Sequence, residues 1–150
     1  MKKIKLTKGY EALVDNDDFA WLNQFKWHYN NGTAMRHRGI LMHREIINTP
    51  QDMDTDHING NRLDNRRRNL RVCTASLNSM NRKKRTNNVT SIYKGVNSVI
   101  VHGRHYWKTQ IRKKGMYVYI GYFKQEQHAA MAYDIWAKDL FGEFAKLNFT

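Results

Sequence analysis

An aspartate and a histidine stand side by side at Asp56-His57, and amide side chains recur downstream at Asn59, Asn61, Asn69, Asn78 and Asn81. These residue types fit hydrolysis of a phosphodiester. An attacking water must give up a proton, and histidine is the usual base near neutral pH. Charge on the phosphate and on the departing oxygen calls for a hard cation. Oxygen ligands suit Mg²⁺, which needs few protein groups because it keeps waters and takes phosphate oxygens. Asp56 therefore reads as one metal ligand and His57 as the base, with Asn59-Gly60 a turn that reverses the chain after them. Asn78 offers a carbonyl oxygen from a short helix predicted over about residues 75–83. A lone Asp-His pair is most often structural, and asparagines in polar loops are most often turn formers. The weight lies in the ensemble and in the charge around it.

The chain has 150 residues, with 26 Lys and Arg against 13 Asp and Glu, so its formal net charge is +13. A surplus of that size concerns partners rather than fold. Nucleic acid is the leading polyanion, ahead of an anionic membrane surface. Between Asp64 and Glu126 no acidic residue occurs. That stretch holds Arg66, Arg67, Arg68, Arg71, Arg82, Lys83, Lys84 and Arg85, then Lys94, Lys108 and Arg112, and reads as a phosphate-tracking surface. Asp52, Asp54, Asp56 and Asp64 border it, and a carboxylate beside DNA is tolerable when a cation lies between it and the phosphate. One cysteine, Cys73, excludes a disulfide scaffold and a Cys-rich zinc finger. No apolar run nears the roughly 20 residues of a membrane helix, and Lys5, Lys8 and Glu11 interrupt any signal-like segment. The expectation is a soluble cytoplasmic protein with no membrane partner.

The elements that must position these groups fall into two parts, giving an α+β chain. Residues 1–84 form an N-terminal β-rich unit, 85–91 a basic and polar linker, and 92–150 a second unit. In the first, Ile4 to Leu6 and Ala12 to Val14 predict short strands around a Lys8-Gly9 turn. Asp15 to Asp18 cap a helical stretch with Phe19, Leu22 and Phe25 on one face. A hairpin surrounds residues 30–33, and a helix is predicted over 40–47. His28, His37 and His43 show no partner pattern, and residues 51–81 read as a polar loop region. In the second unit, strands are predicted over 93–101, 105–112 and 116–123, with turns at His102-Gly103-Arg104 and Lys113-Lys114-Gly115. A helix over 125–141 carries Ala129, Tyr133, Trp136 and Leu140 as its apolar stripe. Strand alternation sends Trp107, Thr109, Ile111, Val118 and Ile120 toward that helix. Lys108, Gln110, Arg112, Tyr117 and Tyr119 then form the open face, which suits a DNA major groove.

The run Asp56-His57-Ile58-Asn59-Gly60-Asn61, with Leu63 to Arg66, Asn69-Leu70-Arg71 and Asn78, resembles the HNH nuclease motif of phage homing endonucleases, in the branch whose third position is Asn. Met42-His43-Arg44 also resembles that branch, and the motif covers about residues 42–82. The resemblance implies a ββα-metal unit: two short antiparallel strands and a helix around one metal. It implies that Asp56 and Asn78 are metal ligands, with Asn81 the rival for the second place, that His57 is the general base, and that Asn69 holds the base loop and orients the histidine. One Mg²⁺ or Mn²⁺ per site, drawn in with substrate, is the expected cofactor. Residues 91–149 resemble the Apetala-two, or ethylene-response-factor, DNA-binding domain, through blocks such as Trp107 to Ile111, Tyr119 to Phe123 and Ala129 to Asp134. That family lays a three-stranded antiparallel sheet, packed on one C-terminal helix, into the major groove. The matching contact positions are Lys94, Asn97, Gln110, Arg112, Tyr117 and Tyr119.

Together these imply a phage-encoded, site-preferring DNA endonuclease acting on double-stranded DNA in a bacterial cytoplasm. One active centre per monomer implies a nick, and a dimer is the alternative state. The rival from another class is a non-catalytic DNA-binding regulator with a degenerate HNH motif. A third possibility is an RNA-binding protein that stacks bases on its exposed tyrosines.

Overall fold

A computed structural model describes residues 1–84, 87, 89–113 and 115–149 of the chain. It comprises two compact units, Met1–Asn78 and Ser79–Thr150. The sequence places the end of the first unit at 84. Arg85, expected to touch DNA, Thr86 and Asn88 of the expected linker, and Lys114 of the expected second turn lie outside the described residues. Among the described residues no helix is long and apolar enough to cross a membrane.

The first unit is built from short strands. β1 (Lys2–Lys5) pairs antiparallel with β2 (Glu11–Val14), and alternation turns Ile4, Ala12 and Val14 into the core. α1 (Asn16–Leu22) follows, with Asp17 and Asp18 in its first turn, where carboxylates favour the helix dipole. It ends at Leu22, so Phe25 falls beyond the helix and is 40% exposed rather than sharing its face. β3 (His28–Asn30), β4 (Thr33–Arg36) and β5 (Ile40–Leu41) form a three-stranded sheet. Asn31 and Gly32 both take positive φ between β3 and β4, as a tight hairpin of this hand requires. α2 (Met42–Ile46) is shorter than expected because Ile40 and Leu41 are claimed by the sheet. β6 (Asp54–His57) pairs antiparallel with β7 (Leu70–Cys73), and α3 (Ala75–Met80) follows directly. Trp27, Leu22, Met42 and Ile46 anchor the core, and Leu70 of β7 joins it.

The second unit matches its periodicity closely. β8 (Val96–Val101), β9 (Arg104–Lys113) and β10 (Met116–Phe123) form an antiparallel sheet in the order β10-β9-β8. α4 (Glu126–Phe141) packs on one face. Thr109 and Ile111 are buried, with Trp107, Val118 and Ile120 half-buried in the same clusters, as alternation predicts. Two details differ. The buried side of α4 is Ala129, Ala130, Tyr133 and Ala137, and Trp136 is 42% exposed. Small alanines let the helix lie close to the sheet, which rotates the bulky Trp136 outward. The second difference is a β-bulge at Ile120, where the register passes from Tyr119↔Gln110 to Gly121↔Thr109. The extra residue reverses the phase, so Tyr122 joins Tyr119 on the open face while Phe123 turns inward.

Gly95 precedes β8 with φ at +78°, and a Cβ there would collide with the Tyr133 ring and the Gln110 carbonyl. Gly95→Ala is expected to cost about 3 kcal/mol, combining backbone strain with overpacking. Thermal melting checks this, and an unchanged Tm would refute the close approach.

Candidate active site

Along β6, Asp54 and Asp56 share one face while Thr55 and His57 share the other. Thr55, Asp56 and His57 are all buried. A strand with no apolar residue, covered on both faces, must find partners for its polar groups inside the protein.

On the His57 face that partner is Asn65. The Asn65 Oδ1 lies 2.9 Å from His57 Nε2. An amide carbonyl can only accept, so Nε2 carries the proton and the lone pair sits on Nδ1. Asn65 is itself fully buried, its Nδ2 turned to the Met42 sulfur at 3.4 Å. Its backbone is pinned to β2: Asn65 N donates to Leu13 O at 2.8 Å, and Leu13 N donates to Leu63 O at 2.8 Å. The N-terminal strand pair thereby frames the loop that sets the tautomer of His57. On the far side the His43 ring meets His57 edge to face, with centroids 4.9 Å apart and planes at 79°. Burial lowers the His57 pKa, an effect opposed by its bond to Asn65 and by the Asp56 carboxylate. The His43 pKa falls to about 3, first through burial and then through the charges of His57, Arg44 and Arg62.

On the opposite face, cross-strand pairing sets Asp56 against Arg71, whose Nε and Nη2 both donate to Asp56 Oδ2, at 2.9 and 2.7 Å. Two residues back, Asp54 Oδ2 accepts from Asn78 Nδ2 of α3 at 3.0 Å. Cys73, opposite Asp54 in the register, is buried beside them. Burial pushes its thiol pKa up, as do the Asp56 and Asp54 carboxylates, while the Asn78 backbone amide acts the other way. α3 ends at Met80, one residue before Asn81, and Asn78 lies within it and bonds to Asp54 of β6.

The turn after His57 is built from amides. Gly60 N donates to His57 O at 2.7 Å with Gly60 at φ +74°. Asn69 bridges the two sides of the loop, its Oδ1 accepting from Asn59 N at 3.0 Å and its Nδ2 donating to Asp64 O at 2.7 Å. Asn69 thus ties the loop, and Asn65 bonds directly to the His57 ring. The Arg66 guanidinium, foremost, holds the Asp64 carboxyl below its ordinary pKa.

Several cations expected on the DNA are placed in internal contacts. Arg66 is bonded to Asp64, Arg67 to Asp18 at 2.7 Å, and Arg71 to Asp56. Lys84 Nζ donates to Tyr93 O and Val96 O, and Lys94 Nζ to Met80 O and Arg82 O. Arg68, Arg82, Lys83, Arg112, Tyr117 and Tyr119 are exposed, whereas Asn97, Lys108 and Gln110 are half-buried in the sheet. Sequence reasoning places Asn65 and His43 within the HNH resemblance and Asp54 among the acids that border the basic stretch, but assigns none of them a role in the site. Each owes its place to a tertiary contact that no spacing encodes.

Residues 48–80 match a family profile described as HNH endonuclease. An uncharacterized HNH endonuclease of Acanthamoeba polyphaga mimivirus is 31% identical over 150 residues, covering 94% of this chain and 76% of that protein. The chain belongs to the HNH endonuclease family. No solved structure matches it. The matched stretch of this nuclease contains β6, the amide-rich turn, β7 and α3. HNH nucleases generally use a divalent metal. Among the described residues no three His, Cys, Asp or Glu side chains form a metal-holding group. The donors at hand are two carboxylates and an amide, hard oxygens suited to a hard cation.

His43 makes the nuclease acid-sensitive. Its folded pKa of about 3 lies below the ordinary 6.5, so between these values the unfolded chain binds the extra proton. Stability from this group is therefore full above pH 6.5 and is lost as pH falls toward about 3. In that window wild type should lose up to about 1.4 kcal/mol per pH unit more than His43→Gln. Denaturant melts at stepped pH measure this, and equal slopes would refute it.

Proposed function

We propose that this HNH endonuclease is a metal-dependent, site-preferring DNA nickase of the homing type, with β6, β7 and α3 forming a ββα-metal unit. The observation that carries this reading is the Asn65–His57 contact, because a buried acceptor on Nε2 assigns the basic lone pair to Nδ1. His57 takes the proton of the attacking water at Nδ1. The new P–O bond forms as the bond to the 3′ oxygen breaks, and that oxygen takes a proton from solvent water, leaving 5′-phosphate and 3′-hydroxyl ends. Asp56 and Asn78 would hold one Mg²⁺ or Mn²⁺, and their hard oxygens fit such an ion. A bound ion of this kind supplies Lewis acidity toward the phosphate and its departing oxygen. Arg71 keeps the Asp56 carboxylate aimed and adds positive charge beside it. Asn69 keeps the loop after the base closed.

The second unit holds the duplex, as an Apetala-two-like sheet. Its open face is aromatic and cationic: Tyr119 and Tyr122 lie 5.2 Å apart, and the Arg112 guanidinium sits 5.6 Å from the Tyr117 ring. Flat rings and cations without acids fit phosphates and base edges.

His57→Ala should retain DNA affinity while nicking of supercoiled plasmid with Mg²⁺ falls at least about 100-fold, the usual contribution of a general base. Chelator should abolish nicking by wild type. Wild-type nicking by the variant would remove His57 as the base, and the absence of nicking by wild type on its neighbouring genomic DNA would favour the regulator. Separately, Lys108→Gln with Arg112→Gln should lower the slope of log affinity against log salt by about two, near 0.9 for each lost phosphate contact. An unchanged slope would show that this face is not the holder.

A further inference from the structure

Asn78 differs from Asp56 in one chemical respect. A carboxylate presents an oxygen whichever way it is turned, but an amide ends in one oxygen and one NH₂ group, and only the oxygen can meet a cation. A ligating asparagine therefore needs something to fix its orientation. Here Asn78 Nδ2 donates to Asp54 Oδ2 at 3.0 Å. An ionised carboxylate only accepts, so the NH₂ end faces Asp54 and Oδ1 is directed away from it. Hydrogen bonds to an ionised partner are roughly twice as strong as neutral ones, which makes this a firm choice. The surroundings reinforce it. Asp54 and Asp56 lie on one face of β6, Cys73 sits opposite Asp54 in the register, and the Cys73 thiol feels both carboxylates and the Asn78 backbone amide.

We propose that Asp54 is a positioning residue of the nuclease, which turns the Asn78 carbonyl oxygen toward the divalent ion and does not itself ligate. This rests on the reading above in which Asn78 holds that ion. It separates two neighbouring aspartates by task. Asp56 offers its charge to the ion, and Asp54 offers its charge to the NH₂ group of another ligand. Partners of metal ligands typically carry a 10- to 100-fold share of metal affinity.

The test is Mn²⁺ binding to the full chain, followed by the loss of the free-ion electron paramagnetic resonance signal, in a double-mutant cycle. Asp54→Val in wild type should weaken Mn²⁺ binding by about 10- to 100-fold. In Asn78→Asp the side chain ends in two equivalent oxygens, so there is no orientation left to fix. There, Asp54→Val should cost less than about 3-fold, or should strengthen binding by relieving repulsion between the two carboxylates. Asp54→Asn, which preserves volume should Asp54→Val fail to fold, should give a smaller loss that also disappears in Asn78→Asp. In the metal-free protein, the side-chain NH₂ resonance of Asn78 should shift in Asp54→Val. The same loss in both backgrounds would make Asp54 a ligand and overturn the proposal, as would no loss in either. Failure of the underlying reading looks different: Asp56→Ala and Asn78→Ala would then leave Mn²⁺ binding unchanged.

Discussion

The register of β6 against β7 decides which side chains meet at the centre of the first unit. Four cross-strand pairs run from Asp54↔Cys73 to His57↔Leu70. They bring Arg71 to Asp56 and send Leu70 into the core beside the histidine. A slip of one residue would move every side chain to the opposite face, since strand side chains alternate with period two. Asp56 would then be buried without its guanidinium, at a cost of several kcal/mol for an uncompensated charge. The hydrophobic pattern contributes little to this register, because Asp54 to His57 contains no apolar residue. The register is held instead by Leu70 at one end, by Cys73 at the other, and by polar pairs that are satisfied in one alignment.

The same economy explains the rest of the first unit. Buried polar groups are tolerable when each has a partner, and a satisfied network is rigid. His57 is gripped through Asn65, Asn65 through the backbone of β2, and Arg67 through Asp15 and Asp18 around α1. Residues far upstream of the histidine thus determine which of its nitrogens is basic. In the proposed role of His57 as base, a tautomer held before substrate arrives needs no reorganisation at the moment of reaction.

What could be read from the sequence follows from which physical signal each element carries. β8 to β10 and α4 alternate or repeat cleanly, so their positions and the direction of Thr109, Ile111, Tyr117 and Tyr119 were legible. Tyr122 was not, because a bulge is one inserted residue and leaves no mark in composition. Trp136 was misplaced because its spacing from Tyr133 and Leu140 fits a helical stripe as well as the alanines do. β6 read as loop because its strand buries acids and a histidine rather than valines. Asp56, His57, Asn69 and Asn78 stood out through spacing and resemblance. Asn65 fell within the HNH resemblance without a role of its own, and its contact with His57 depends on a backbone tie to Leu13 of β2. The surplus of arginine was legible, but not that Arg66, Arg67 and Arg71 would be matched to carboxylates within the fold.

The chain's one cysteine lies among these groups, and its setting has a chemical consequence. The thiolate is the form that attacks electrophiles and that peroxide oxidises. Cys73 is 2% exposed, and burial together with two neighbouring anions disfavours ionisation. Alkylating reagents and mild oxidants therefore meet an inert sulfur, and β7 keeps a small, soft filler opposite Asp54 without acquiring a redox liability.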